Sequence, residues 1–124
     1  MACHKGCRQR VGIVEQKVFS IEYNGNKVGD VTVHPVPTVS HERVAEISYY
    51  VDEAFRCRGL ATEALKRVSR LMLNERCYDV LFCNCYADNA ASVRVIEKAG
   101  YIDTGKLVVE TDAPERPIRV FFML

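Results

Sequence analysis

Arg56-Cys57-Arg58-Gly59-Leu60-Ala61 is the stretch of this chain whose residue types and spacing are best suited to chemistry, and that chemistry is anion binding. A glycine at a helix start lets a ligand come close to the backbone with no side chain in between. The N–H groups of a first helical turn have no intrahelical partner, and with the positive end of the helix dipole they attract negative charge. Arg56 and Arg58 add guanidinium donors suited to phosphate oxygens. On residue types alone, the stretch also reads as a plain helix start with two solvated arginines.

Two other groups invite chemistry and carry less of it. Cys83 and Cys85 are potential nucleophiles, but no histidine neighbours either in sequence to generate a thiolate. Cys3, His4 and Cys7 are three candidate ligands within five residues, with no second cluster of matching spacing. That is a poor zinc pattern, so no metal is expected and residues 1–10 read as a flexible tail.

The elements that must position the anion-binding turn are legible from periodicity. Residues 11–23 read as a strand, Asn24-Gly25 as a tight turn, and residues 28–34 as the returning strand of a hairpin. Pro35 and Pro37 mark a loop, and residues 44–51, rich in β-favouring side chains, form a third strand closed by Asp52. Leu60, Ala61, Ala64, Leu65, Val68, Leu71 and Met72 recur at helical spacing opposite Glu63, Lys66, Arg67 and Arg70, which predicts an amphipathic helix over 60–74. A short strand over 80–86 precedes a second helix, capped by Asp88 or Asn89 and ended by Gly100. Strands over 104–110 and 118–124 flank a loop containing Pro114 and Pro117. The predicted order is β-β-β-α-β-α-β-β, an α/β chain with a mixed sheet and helices packed against it, in one domain over 11–124.

Composition narrows the function classes. Hydrophobic residues make up 48% and charged residues 27% of the 124, which is globular rather than disordered. A net charge of +1 with scattered Lys and Arg argues against nucleic-acid binding, and the small basic patch from Arg56 to Arg70 suits a small polyanion better. No apolar run approaches the ~18 residues of a membrane-spanning helix, and residues 1–10 lack the apolar middle of a secretory signal. No membrane partner and a cytoplasmic location are therefore expected. The six cysteines read as buried free thiols of a reducing compartment, since Cys83 and Cys85 lie on one face of a strand and are poorly placed to bridge each other.

Arg56-x-x-Gly59-x-Ala61 resembles the Gln/Arg-x-x-Gly-x-Gly/Ala pyrophosphate signature of the GCN5-related N-acetyltransferases, the GNAT family. Its neighbours follow in order. Ala45 to Val51 resembles the strand before that turn, and Ala61-Thr62-Glu63-Ala64-Leu65 its helix. Asn89-Ala90-Ala91-Ser92, followed by Glu97-Lys98-Ala99-Gly100-Tyr101, is similar to the second coenzyme-binding segment of the ribosomal-protein alanine acetyltransferase subgroup. The resemblance covers about residues 11–124 and implies an acyl-CoA N-acyltransferase fold with acetyl-CoA as cosubstrate. It implies that backbone N–H groups of Arg58, Gly59, Leu60, Ala61 and Thr62, with Arg56 nearby, hold the pyrophosphate. The backbone of Tyr49, Tyr50 and Val51 would pair with the pantetheine arm, which requires strands 44–51 and 80–86 to splay apart. Asn89 would hydrogen-bond the pantetheine, or serve only as a helix cap.

The implied reaction is direct transfer of acetyl to a primary amine, either a protein N-terminus or a small amine. Ser92 is the candidate acid for the departing thiolate, with coenzyme positioning or capping as its other reading, because the tyrosine that many relatives carry further along has Ile96 in its region here. Glu46 is the candidate base, or else an exposed strand residue. An α-amino group with pKa ~8 needs less help from a base than a lysine at ~10.4. The family usually begins with a strand and two helices that build much of the acceptor pocket, whereas only about ten residues precede the first strand here. An N-terminally truncated domain is thus expected, and with it a second reading, a non-catalytic CoA-binding module. The first strand would be a sheet edge, which predicts a homodimer.

Overall fold

Asn24 and Gly25 both adopt positive φ, 52° and 81°, which lets the chain reverse in two residues. In the computed structural model, which describes residues 15–124, this turn joins β1 (Lys17–Tyr23) to β2 (Asn26–Val36) as an antiparallel hairpin. Residues 11–14 of the expected first strand lie outside the described residues, as does the tail over 1–10. β3 (Val44–Val51) returns antiparallel to β2, and a short 3₁₀ turn over Glu53–Phe55 leads to α1 (Leu60–Asn74). β4 (Val80–Tyr86), α2 (Ala90–Lys98), β5 (Ile102–Glu110) and β6 (Ala113–Met123) complete one six-stranded sheet in the order β1-β2-β3-β4-β6-β5.

The C-terminal hairpin departs from the sequence expectation. The residues read as a loop around Pro114 and Pro117 belong to β6, and only Thr111-Asp112 form the turn. Proline is tolerated there because β4 pairs with β6 only from Ile118 onward, so no ladder is broken on that side.

Side-chain parity sorts the sheet into two unlike faces. Val31, Val33, Ala45, Ile47, Val51, Leu81, Cys83 and Phe121 are buried with Leu65, Val68 and Met72 of α1 and Ile96 of α2 in a single cluster. The intervening residues Glu46, Ser48, Tyr50 and Asn84 point to the other face and are partly or fully exposed. Beneath the helices, Ser69 Oγ and Tyr101 Oη share a 2.6 Å hydrogen bond, which satisfies the one buried polar residue among those described.

Only β3 and β4 run parallel, and their pairing is short: Val44 with Val80, Ala45 with Leu81, Glu46 with Phe82, Ile47 with Cys83. A clamp fixes the closed end. Asp79 N–H donates to Arg43 O at 2.7 Å, while Arg43 N–H donates to Asp79 Oδ2 at 2.8 Å and its guanidinium to Oδ1 at 3.2 Å. The Arg43 backbone N–H, then its side chain, hold the Asp79 carboxyl below its ordinary range. A depressed native pKa stabilises the fold above the unfolded value near ~3.9, and that contribution disappears as pH falls through the native one. Asp79→Asn is therefore expected to lower the urea midpoint at pH 7 by an amount worth about 0.5 kcal/mol, the pair being half-exposed. The difference between variant and wild type should narrow steadily as pH falls from 7 to below the unfolded value. A constant difference across that range would assign the clamp's strength to something other than the carboxylate's charge.

Candidate active site

Beyond Ile47 and Cys83 the two strands part, and the peptide groups along the opening can be assigned by alternation. Asp52 N–H donates to Val28 O at 2.7 Å, and the Tyr50 carbonyl points at Gly29, so these groups face β2. Those of Tyr49 and Val51 accordingly face the gap. Arg56 Nε takes the Val51 carbonyl at 2.9 Å. The Tyr49 N–H and C=O and the Val51 N–H remain with no strand partner, and they line a cleft of about 590 Å³. Backbone donors and acceptors left open in a row are what an extended, amide-bearing ligand would need for strand-like pairing.

The cleft continues to the turn before α1. Cys57 and Gly59 adopt φ of 63° and 76°, and Gly59 is the N-cap of α1 with no side-chain cap bond, so first-turn N–H groups stay available. A Cβ built on Gly59 would meet nothing within 4 Å, because that position looks into open space. The turn thus has both the donors and the room for a diphosphate.

The structure gathers most of the expected coenzyme-binding residues. Tyr49, Tyr50, Val51, Arg56, Gly59, Leu60, Ala61, Thr62, Asn89 and Ser92 all line this one cleft. Arg58 is the expected binding residue that does not itself line the cleft. Its guanidinium lies 5.6 Å from the Tyr23 ring centroid and 5.9 Å from that of Phe55, which is one of the lining residues. The Arg56 guanidinium is likewise 5.6 Å from the Tyr50 ring.

α2 forms the opposite wall. Asn89 Oδ1 accepts from Ser92 N–H at 3.1 Å, so the cap reading of Asn89 is realised, and its amide NH₂ is left for a ligand. Tyr49 Oη donates to Ser92 Oγ at 3.0 Å, joining two hydroxyls in the cleft. Burial raises the Tyr49 pKa, so this phenol keeps its proton at neutral pH. The sequence reading considered only the backbone of Tyr49. Its parity with Ile47 and Val51 was the signal that its ring points toward the helices.

Glu46 is not part of the cleft lining but stands on the helix-free face where the strands begin to part. Asn84 Nδ2 donates to Glu46 Oε2 in a short hydrogen bond across the two strands, and His34 Nε2 pairs with Ser48 Oγ at 2.9 Å on the neighbouring positions. Asn84 and His34 were not singled out from sequence, since neither belongs to a motif. The two faces therefore present hydroxyls on one side of the splay and a carboxylate on the other.

The cysteines are of three kinds. Cys57, Cys83 and Cys85 are free, whereas Cys77 is disulfide-bonded, contrary to the reading of all six as thiols. Burial pushes the Cys83 thiol far up and raises that of Cys85, so both are protonated and poor nucleophiles at neutral pH. Cys57 is exposed and lines the cleft. With N-ethylmaleimide at pH 7, peptide mapping should show Cys57 modified at least about tenfold faster than Cys83. Saturating acetyl-CoA should slow the labelling of Cys57 alone, and equal rates with and without it would place the ligand elsewhere. Among the described residues no group of three or more side chains could hold a metal ion, and Cys3, His4 and Cys7 lie outside them.

Comparison with known proteins agrees with this geometry. The family model described as the acetyltransferase (GNAT) domain matches residues 7–102. No curated protein matches the chain in sequence. Among solved structures, Mycobacterium smegmatis RimJ in complex with CoA-disulfide is 25% identical with a TM-score of 0.75, over 87% of this chain and 52% of RimJ. RimL, a ribosomal α-N-protein acetyltransferase in complex with coenzyme A, is 16% identical with a TM-score of 0.75, over 88% and 62%. A spermidine N-acetyltransferase SpeG chimera from Vibrio cholerae is 18% identical with a TM-score of 0.74, over 88% and 66%. The likeness to the last two is one of fold, and the chain spans about half the length of RimJ.

Proposed function

Since the chain belongs to the GNAT family of acetyltransferases, we propose that it binds acetyl-CoA in the cleft between β3 and α2 and transfers the acetyl group directly to a primary amine, a protein N-terminus or a small amine. The observation that carries this reading is the early end of the β3–β4 pairing at Ile47 and Cys83, which opens the Tyr49 and Val51 peptide groups toward the Gly59 turn. The pantetheine arm pairs with those groups, and the diphosphate sits on the first-turn N–H groups of α1.

In this reading the thioester lies at the splay, reached from the helix side, and the amine arrives on the helix-free face beside Glu46. Glu46, oriented by Asn84, accepts the amine's proton directly or through water. An open backbone N–H of β3 stabilises the oxyanion as the C–N bond forms. The thiolate leaves as the C–S bond breaks and takes a proton from Ser92, which regains one from the Tyr49 hydroxyl that donates to it; solvent then reprotonates Tyr49 and takes the amine's proton from Glu46. The protonated, unactivated thiols of Cys83 and Cys85 favour direct attack over an acyl-cysteine intermediate.

The test is calorimetric binding of acetyl-CoA, followed by thiol release with a free-amine peptide and with spermidine. Binding with turnover supports the proposal. Binding without turnover of any amine would support the CoA-binding module instead, and no binding would dismiss both. We further propose a homodimer, because β1 has only β2 as a neighbour among the described residues and Val18 on it is 55% exposed. A monomeric mass by light scattering at micromolar concentration would count against it.

A further inference from the structure

The α2 wall of the cleft does not stop at Ser92. Arg94, Val95 and Lys98 line it as well, so the groove continues along the helix for roughly 9 Å past Ser92 at ~1.5 Å per residue. Arg94 and Lys98 are four residues apart, which sets them on one side of the helix, and both are exposed. Neither has an ion-pair partner among the described residues, whereas Arg67, Arg116 and Arg119 each meet a carboxylate.

The cleft's remaining arginine is otherwise engaged, since Arg56 bonds the Val51 carbonyl and lies over Tyr50. A diphosphate on the Gly59 turn can be held by backbone N–H groups alone. Coenzyme A carries a second anionic group, a phosphate monoester on the ribose 3′ oxygen, with a charge of about −1.5 to −2 near pH 7. A dianion beyond the reach of the helix N-terminus requires cations of its own, and the far end of this groove offers two that are unpaired.

We propose that Arg94 and Lys98 form a subsite for this terminal phosphate monoester, so that the cleft selects 3′-phosphorylated coenzyme over its dephosphorylated form. The inference rests on the coenzyme reading of the cleft and adds a source of ligand selectivity to it. Arg94, with a planar fork of donors, and Lys98, with a compact charge, approach one phosphate from successive turns of α2.

Isothermal titration of the full chain with coenzyme A and with 3′-dephospho-coenzyme A, under reducing conditions, tests this with no acceptor amine. Wild type should bind coenzyme A about tenfold more tightly, as expected for partly exposed charge-assisted contacts. In the Arg94→Met, Lys98→Met double variant, affinity for coenzyme A should fall to that for the dephospho form. Affinity for the dephospho form should itself stay within about twofold of wild type, which also reports an intact fold. Equal binding of both ligands by wild type, or a tenfold preference that survives in the double variant, overturns the subsite. If neither ligand binds wild type, the coenzyme reading itself is lost rather than its refinement.

Discussion

Gly59→Glu is expected to lower acetyl-CoA affinity at least about a hundredfold, the loss of two charge-assisted backbone contacts at ~1.5–3 kcal/mol each. Three effects act together at this position. The side chain would project into the open space that the diphosphate is to occupy, where even a Cβ meets no protein atom within 4 Å. Its carboxylate would set negative charge beside phosphate oxygens at the positive end of α1, replacing attraction with repulsion. A non-glycine residue at φ 76° also adds strain of about 1–2 kcal/mol to the turn itself. Gly59→Asn separates strain from charge, because asparagine tolerates left-handed backbone and carries no charge. It should stay folded and lose far less affinity than the glutamate. The two variants are compared by calorimetry, with thermal unfolding as the check on fold. If Gly59→Glu binds acetyl-CoA within about threefold of wild type, the diphosphate does not sit on this turn.

That the turn could be found from sequence at all follows from how locally it is encoded. Glycine with neighbouring arginines before an amphipathic run specifies a helix start, its free N–H groups and its charge within six residues. The same holds for Asn89, whose cap bond to Ser92 spans only three residues. Contacts between distant elements were harder to read. The Tyr49–Ser92 pair joins residues 43 apart, and Glu46–Asn84 joins residues 38 apart. Neither follows from a local pattern, although alternation along β3 puts Tyr49 and Glu46 on opposite faces. The surroundings of the Arg58 side chain were hidden for a related reason. Its neighbours in sequence implied phosphate, but the rings of Tyr23 and Phe55, brought beside it by β1 and the 3₁₀ turn, offer a surface that sequence alone does not reveal. At the C-terminal hairpin the prolines were read by their usual loop preference, and a free side of β6 overrode it.

The second large effect is expected at Gly29, and it is structural first and functional by consequence. Gly29 pairs with Val51 across β2 and β3, and a Cβ there would stand 2.0 Å from the Tyr50 carbonyl oxygen and 2.9 Å from Val51 Cα. Both obstacles are backbone atoms of a central strand, which cannot rotate aside as a side chain would. Gly29→Ala must therefore push β3 away from β2, straining the bond from Asp52 N–H to Val28 O. Overpacking of this kind costs about 1–3 kcal/mol and sometimes more, which for a chain of this size lowers Tm by roughly 5–15 °C. The segment displaced is Tyr49 to Val51, the cleft wall whose open peptide groups are proposed to pair with the pantetheine arm. Acetyl-CoA affinity should accordingly drop about tenfold even well below the variant's Tm. Gly25→Ala supplies the comparison: φ there is 81° but nothing lies within 4 Å of its Cβ, so it bears the backbone strain alone, about 1 kcal/mol, with no change in binding. Should Gly29→Ala prove no less stable than Gly25→Ala, the close approach of β2 to β3 does not set the position of the cleft wall.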